Sequence, residues 1–405
     1  MARRGLPGAL IVGSSLSAML WGRAQNGKGL SDWLDFEFGA RVLLGWPRYT
    51  HLGGTPLRLY ANNPSLQIGP PAFTSVAGVQ WLKPRTGQLV LDVVMALLGA
   101  ACILLLVTGP DVRGHRRERS GRLTVAGVAA AGAWGCLTGL WHHVDDLLAV
   151  SLAGLAAALI IRKKAWWAIA LLLGTAAASK PWAVVLLPML FGLELRDRAK
   201  GTLLSLGTAA AWWAPFVLAA PSTARSLGSF NILPTAGSAL YLLGIHGDVS
   251  QWLRPVQMLG GIVTGIVVAR RGHWWAAPLA GLAIRVATDP YAWLYYALGP
   301  ICFALLWEVA SPTGARAWRR TGVLTGLTIV VTFLFPALAM ELDKRGVGWV
   351  PSLAAALKLV WAFAIVLVAL RGRRDAAPDA DPELAGANVV IPEQTAHTAA
   401  TPVPA

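Results

Sequence analysis

The chain has 405 residues, of which 55% are hydrophobic and only 14% are charged. A soluble globular domain carries about a quarter charged residues, so this composition excludes the soluble classes and indicates a polytopic membrane protein. The net charge of +15 comes mostly from short Lys and Arg clusters between apolar segments. Such clusters are typical of cytoplasmic loops that contact anionic membrane lipids, and they argue against a nucleic-acid partner.

The first apolar segment covers residues 6–21, behind two arginines, and predicts an anchor that leads outward from the cytoplasm. A long polar stretch then occupies residues 22–87 on the outer side. Near its end, Gly69-Pro70-Pro71 opens an apolar piece that stops at Leu82. This piece is too short to cross a bilayer core that needs about 20 residues, so it predicts an interfacial or re-entrant helix.

Apolar segments alternate regularly along the rest of the chain. Spans are predicted at residues 89–108, 123–141, 147–161, 166–178, 202–220, 256–269, 274–288 and 292–310, with a short Pro-containing helix after Lys180 and two spans around an outer loop at 341–350. The pattern predicts an all-α polytopic protein of the plasma membrane with about 12 transmembrane helices and both termini in the cytoplasm. We place the transmembrane domain at 1–371 and a disordered cytoplasmic tail at 372–405, where large apolar residues are few.

This topology brings many ionisable residues to the outer side. They are Asp32, Asp35, Glu37, His51, His142, His143, Asp145, Asp146, Lys180, Asp248, Asp289, Glu341 and Asp343. Ionisable groups at a membrane border usually serve a function or extend toward water. Because these residues come from distant segments, their convergence predicts a functional site on the outer side.

Sugar transfer from a lipid phosphate would suit such a site. The leaving group is already an anion and needs cations, whereas the acceptor hydroxyl needs one carboxylate as a base. Asp35 begins a run that predicts an amphipathic helix on the bilayer surface, with Phe36, Ala40, Leu43 and Leu44 toward lipid. Helix capping is the alternative role for Asp35 and for Asp32.

The loop also resembles a known family. Its strings are DFEFGARVLLGWPRY and LRLYANNPSLQIGPPAF, and later segments read HHVDDLLA, ASKPW and DPYAWLYY. They resemble the GT-C glycosyltransferases, and most of all the polyprenol-phosphate-mannose-dependent mannosyltransferases of actinobacteria. The resemblance implies a GT-C-like fold in which a loop Asp, here Asp35 rather than Asp32, is the catalytic base. The family's Tyr-Pro-Pro is replaced by Gly69-Pro70-Pro71 after Ile68.

The resemblance and the topology together give a set of candidate residues. Lys180, His142 and His143 are expected to bind the donor phosphate, although a snorkelling Lys and interfacial His residues are the alternatives. Substrate binding is expected of Asp145, Asp146, Asp289, Tyr291, Tyr49 and Arg48. Asp145 and Asp146 could instead cap a helix or hold a divalent metal. We expect no metal and no cofactor, because no third acidic ligand is identifiable.

The favoured function is inverting transfer of a sugar, by the resemblance mannose, from a polyprenyl-phosphate donor to a lipid or cell-envelope glycan on the outer face. A transporter or flippase for an anionic lipid-linked or sugar substrate is the alternative. A transporter should place its ionisable residues near mid-membrane. Here Asp92, Arg285 and Glu308 are the main ones inside predicted spans, while the acids gather outside. A membrane assembly factor without catalysis would leave that outer cluster unexplained.

Overall fold

A computed structural model describes residues 6–25, 31–49, 54–64, 66–109, 116–226, 232–291, 293–311 and 322–371. Every regular element in these ranges is a helix. The predicted tail at 372–405, His51 and the predicted basic loop around residues 316–320 lie outside the described residues.

Long and short helices alternate in the first half of the chain. In order they are α1 (Leu6–Gln25), α2 (Ser31–Leu43), a 3₁₀ turn (Pro56–Arg58) leading into α3 (Leu59–Asn62), α4 (Pro70–Ala77), α5 (Pro84–Val107), α6 (Arg116–Trp141), α7 (Val144–Ile161), α8 (Trp166–Ser179) and a 3₁₀-helix (Pro181–Gly192). Along α6, Gly135 and Gly139 lie directly against the backbone of Ser15 and Met19 in α1. Small residues permit this close approach, which packs α1 firmly onto the body.

The second half follows the same plan. Its elements are α9 (Leu195–Ala219), α10 (Ser222–Ser226), α11 (Ala239–Leu242), α12 (Ser250–Arg270), α13 (Ala277–Ala287), a 3₁₀ turn (Leu294–Ala297) leading into α14 (Leu298–Ala310), α15 (Val323–Ile329), a π-helical turn (Val330–Leu334), α16 (Phe335–Lys344) and α17 (Val350–Arg371).

Seven of the described helices are long and apolar enough to cross a membrane. They are α5, the apolar part of α6 from Gly121, α7, α9, α12 from Trp252, the continuous run α15–α16 and α17. Four shorter apolar helices accompany them: α8, the 3₁₀-helix after it, α13 and Leu294–Ala310. With α1, these occupy the places at which the sequence predicts spans, so the prediction of an all-α polytopic membrane protein is confirmed.

The surface helix predicted from Asp35 onward forms as α2, but its apolar face does not point to lipid as expected. Phe36 and Ala40 are buried, and the Phe36 ring meets Phe73 of α4 edge-on with 6.4 Å between centroids. Leu44, just beyond the helix, is exposed. The apolar face of α2 therefore packs against protein, because α4 supplies an apolar partner for it.

The three cysteines of the chain lie in the core. Cys102, Cys136 and Cys302 are all buried and none forms a disulfide.

Candidate active site

A cavity of about 390 Å³ lies where the ends of several helices meet. Its walls come from α2, the segment before α4, the start of α7, the corner after α8, the start of α12 and the link from α13 to α14. The lining residues include Asp35, Phe36, Gln67, His143, Asp145, Lys180, Trp182, Arg254, Arg285, Asp289, Tyr291, Trp293, Tyr295 and Tyr296. Asp35, His143, Asp145, Lys180 and Asp289, which the topology predicts to converge from distant segments, thus share one cavity.

Asp35 lies one turn into α2 and is exposed on the cavity wall. The other described carboxylate of this helix, Glu37, is buried and ion-paired with Arg41. The next residue, Phe36, contacts His143 edge-on, with 6.3 Å between the two ring centroids. Asp35 is therefore the described α2 side chain that brings a carboxylate to the cavity.

The opposite wall depends on a close approach of two backbones. Gly69 N donates a hydrogen bond of 3.0 Å to Ser179 O at the end of α8. A Cβ at position 69 would collide with the carbonyls of Ala178 and Ser179, so only glycine fits there. Tyr60 strengthens the attachment, because its hydroxyl donates to Ile68 O at 2.8 Å. This contact holds the segment with Gln67 beside Lys180.

Lys180 occupies the corner at which α8 stops. The helix ends there because the following residue is Pro181, which disfavours helical geometry in the residue before it. The Lys180 ammonium donates a hydrogen bond to Asp145 and lies 3.3 Å from Asp146 Oδ2. Burial lowers the pKa of Lys180, but the two carboxylates outweigh it and hold that pKa above its ordinary value. Lys180 is therefore a fixed cation in the cavity wall.

Asp145 and Asp146 lie in the first turn of α7, where carboxylates favour the positive end of the helix dipole. Both are buried. Asp145 Oδ1 accepts a 2.8 Å hydrogen bond from the backbone N–H of Asp146, and Asp146 Oδ1 accepts one of 2.7 Å from Trp182 Nε1. The carboxylate pair thus orients both Lys180 and the indole of Trp182.

His143 stands at the start of α7 and stacks on Tyr295. The two ring centroids are 3.5 Å apart with an interplanar angle of 19°. The imidazole Nδ1 also lies 3.6 Å from Asp145 Oδ1 and 3.6 Å from Asp146 Oδ2. This arrangement joins the carboxylate pair to the aromatic wall formed by Trp293 and Tyr295, whose rings are nearly parallel with centroids 6.2 Å apart.

Two arginines bring further positive charge to the cavity. The guanidinium of Arg285 lies 4.4 Å from the Trp182 ring centroid and 4.1 Å from that of Tyr296. Arg254, near the start of α12, donates a hydrogen bond to Gln67 Oε1. A guanidinium packed against aromatic rings loses little further freedom when its planar donor edges bind phosphate or carboxylate oxygens.

Asp289 follows α13 and is 6% exposed. Its Oδ1 accepts a 3.1 Å hydrogen bond from the Tyr291 backbone N–H, which forms a local turn around Pro290. Burial raises the pKa of the Asp289 carboxyl to about 7, and the nearby Arg285 offsets only part of that effect.

Four of the predicted site residues are not among the residues that line the cavity. His142 is buried and pairs instead with Asp92, with 2.8 Å between Nδ1 and Oδ1. Arg48 is exposed outside the cavity, and the Tyr49 hydroxyl accepts a hydrogen bond from Arg41. Asp146 lines a smaller recess beside the cavity, together with Asp289 and Arg285.

The structure also identifies site residues that the sequence did not single out for a role. Arg285 carried a usable signal, since an ionisable residue inside an apolar span usually marks a site. Arg254 and Gln67 carried no such signal, because each lies at a polar end of its segment. Their contact depends on a separation of 187 residues that no local pattern records.

A metal ion has one candidate position among the described residues. His143, Asp145 and Asp146 place one ligand atom each within 4.8 Å of one another. Lys180 already supplies positive charge to both carboxylates. The donor set therefore fits a divalent ion only if Lys180 moves aside.

No protein-family model matches the chain, and no curated protein matches its sequence. Among solved structures, ArnT from Cupriavidus metallidurans bound to undecaprenyl phosphate is similar to it. The two share 14% identity and a TM-score of 0.40 over 75% of this chain and 67% of ArnT. A likeness of this size does not assign a function.

Proposed function

We propose that this protein is an integral-membrane glycosyltransferase that uses a polyprenyl-phosphate sugar as donor and acts with inversion. The observation that supports it best is the cavity itself, which is lined by the carboxylate of Asp35 together with the cations Lys180, Arg254 and Arg285. That pairing of one base with several cations matches what transfer from a lipid phosphate requires.

In the proposed reaction the acceptor hydroxyl attacks the anomeric carbon of the donor sugar. The bond from that carbon to the phosphate oxygen breaks with its electron pair, and a bond to the acceptor oxygen forms on the opposite face. Asp35 accepts the proton of the acceptor hydroxyl. Polyprenyl phosphate leaves as an anion and needs no proton, so one carboxylate is enough, in contrast with the two carboxyls of a typical glycoside hydrolase.

The donor phosphate is assigned to the basic side of the cavity. Arg285 offers a planar donor edge and Arg254 lies on a neighbouring helix, whereas Lys180 is engaged by Asp145 and Asp146. We therefore give the arginines the direct contacts with phosphate oxygens. Lys180 and His143 complete the positive and hydrogen-bonding surroundings, in which the anion that forms on bond cleavage is stabilised.

The sugar is assigned to the aromatic wall. Trp293 and Tyr295 present nearly parallel rings, and Tyr291 lies 5.8 Å from Trp293 between centroids. The C–H faces of a pyranose pack well on such rings, while Asp289 can bond its hydroxyls. By its resemblance to the mannosyltransferases we propose mannose as the sugar and a lipid or cell-envelope glycan as the acceptor, with no metal ion required.

Transfer can be measured with the purified protein in nanodiscs, a polyprenyl-phosphate mannose labelled in the sugar, and an envelope-lipid extract as acceptor. Asp35→Asn should lower the rate by about 10²–10⁴-fold, because the acceptor loses its base. Glu341→Gln is the matched control, since Glu341 is a carboxylate outside the cavity that pairs with Lys344 and Arg345. It should leave the rate within about twofold.

Two outcomes would contradict the proposal. Near-normal transfer by Asp35→Asn would show that Asp35 is not the catalytic base. Movement of labelled polyprenyl phosphate across vesicle bilayers by the wild type, with no new glycosidic bond in any extract, would favour the transporter instead.

A further inference from the structure

A buried ionic network outside the cavity joins α1, α5 and the turn that follows α6. Asp92 of α5 accepts a 2.6 Å hydrogen bond from Arg23 Nη1 through Oδ2, and Oδ1 lies 2.8 Å from His142 Nδ1. Asp92 and His142 are each 3% exposed. A carboxylate inside an apolar span is costly unless its oxygens are paired, and here both are. None of these three residues lines the cavity.

His142 adopts an unusual backbone conformation. Its φ is +53°, in the left-handed region that L residues with a side chain disfavour. Glycine would adopt this turn without penalty, yet the chain has a histidine whose ring reaches Asp92. Conformations of this kind persist where surrounding contacts enforce them, and they concentrate at functional sites. The contact with Asp92 is such an enforcing contact.

The turn at His142 determines the direction of the next residue. The His142 carbonyl accepts a 2.9 Å hydrogen bond from the backbone N–H of Val144, which closes a tight bend between α6 and α7. His143 lies inside that bend and directs its ring into the cavity, flat against Tyr295. The two adjacent histidines therefore have different surroundings, because His142 contacts Asp92 and His143 lines the cavity.

We propose that Asp92 is a positioning residue for His143. With Arg23 it fixes the imidazole of His142, and so holds the left-handed turn that sets the His143 ring against Tyr295 beside the carboxylate pair. The inference rests on the proposed function, in which His143 belongs to the surroundings of the donor phosphate. It adds a residue that touches neither substrate nor any cavity-lining side chain named above.

A double-mutant cycle tests this link, because two residues that act through one another are not additive. Asp92→Asn should weaken binding of undecaprenyl phosphate in nanodiscs and slow sugar transfer by at least about fivefold. In a His143→Ala background the same change should add less than about twofold. Equal effects in both backgrounds would overturn the proposal, because Asp92 would then act independently of His143.

The matched control is Glu308→Gln. Glu308 is also a carboxylate in an apolar helix, and it accepts hydrogen bonds from Leu324 N at 2.8 Å and Thr325 Oγ1 at 2.6 Å. It should lower the melting temperature about as much as Asp92→Asn does, without changing lipid binding or transfer. If both variants lose function in proportion to stability, Asp92 is structural only.

Two further measurements keep the inference testable if Asp92→Asn folds poorly or if the proposed function fails. His142→Gly permits the left-handed turn but removes the ring that ties it to Asp92, so nothing at this position holds the turn in place. Wild-type lipid binding and transfer by this variant would overturn the proposal. A structure of Asp92→Asn or His142→Gly requires no activity. The proposal expects the His143 ring to leave Tyr295, and an unchanged stack would contradict it. Absence of both transfer and lipid binding in the wild type would instead contradict the proposed function.

Discussion

The ammonium of Lys180 donates a hydrogen bond to the carboxylate of Asp145 across the junction of α8 and α7. The two residues are 35 positions apart: Asp145 lies in the first turn of α7, and Lys180 directly follows the last residue of α8. Asp145 is fully buried and Lys180 has a side chain that is 16% exposed. A charge pair this enclosed is sensitive to loss of one partner, because the remaining charge stays buried without compensation.

Lys180→Ala should therefore lower both the melting temperature and the rate of sugar transfer. Loss of one member of a buried pair costs about 3–5 kcal/mol, whereas loss of both members costs less. The double variant Lys180→Ala/Asp145→Asn should recover most of the stability in a thermal melt. It should not recover transfer, since the cation is still missing. Recovery of both would show that Lys180 serves stability alone.

Arg285→Ala and Arg48→Ala should differ in the apparent affinity for the donor. Arg285 faces the cavity between two aromatic rings, while Arg48 is exposed outside it. We expect the first substitution to raise the donor KM at least about tenfold, since a charged hydrogen bond is lost, and the second to change it less than about twofold. A larger effect at Arg48 would support the assignment made from sequence and weaken the one made from geometry.

Asp289 should make stability depend on pH. Its carboxyl has a pKa near 7 in the folded protein, raised mainly by burial, against about 3.9 in an unfolded chain. The folded state therefore holds the proton more tightly, and the free energy of unfolding should fall as pH rises from about 4 to about 7. Asp289→Asn has no carboxyl to titrate at this position. The difference between its melting temperature and that of the wild type should therefore shift in favour of the variant as pH rises from 5 to 8. Asp343→Asn, at an exposed position, is the control and should show no such trend.

Removal of divalent metal should leave transfer unchanged. Lys180 supplies the positive charge beside Asp145 and Asp146 that a metal would otherwise provide. Activity in EDTA should match activity with added Mg²⁺ or Mn²⁺, when both are assayed at equal ionic strength. Activity lost in EDTA and restored by a divalent ion would instead assign the ion to His143, Asp145 and Asp146.

Much of the architecture follows from patterns that are local in sequence. Apolar runs of sufficient length predict helices because every backbone group in lipid must find a partner within its own segment. Alternation of these runs then predicts which helix ends share a side, and it brings Asp35, Lys180 and Asp289 to one place. All three residues line one cavity, although the sequence does not determine how closely the helix ends approach.

The details of the site depend on tertiary contacts that no local pattern contains. Two adjacent histidines look equivalent in the string HHVDD, yet a left-handed turn sends His142 to Asp92 and His143 to the cavity. In the same way, Tyr49 was expected at the substrate, but Arg41 one helical segment away binds its hydroxyl. Side-chain direction at a helix end depends on single dihedral angles, which composition and periodicity do not determine.

Two of the helices that end at the cavity are short. With 14 residues, α8 is about 21 Å long, and α13 with 11 residues is about 17 Å long, against a bilayer core of about 30 Å. If their other ends stand level with those of the long spans, the cavity floor lies well below the headgroups. A sugar carried on a membrane-embedded chain arrives at that depth by moving sideways through the acyl layer. A water-soluble nucleotide sugar would have to descend into it, so such a depth suits the lipid-linked donor that we propose.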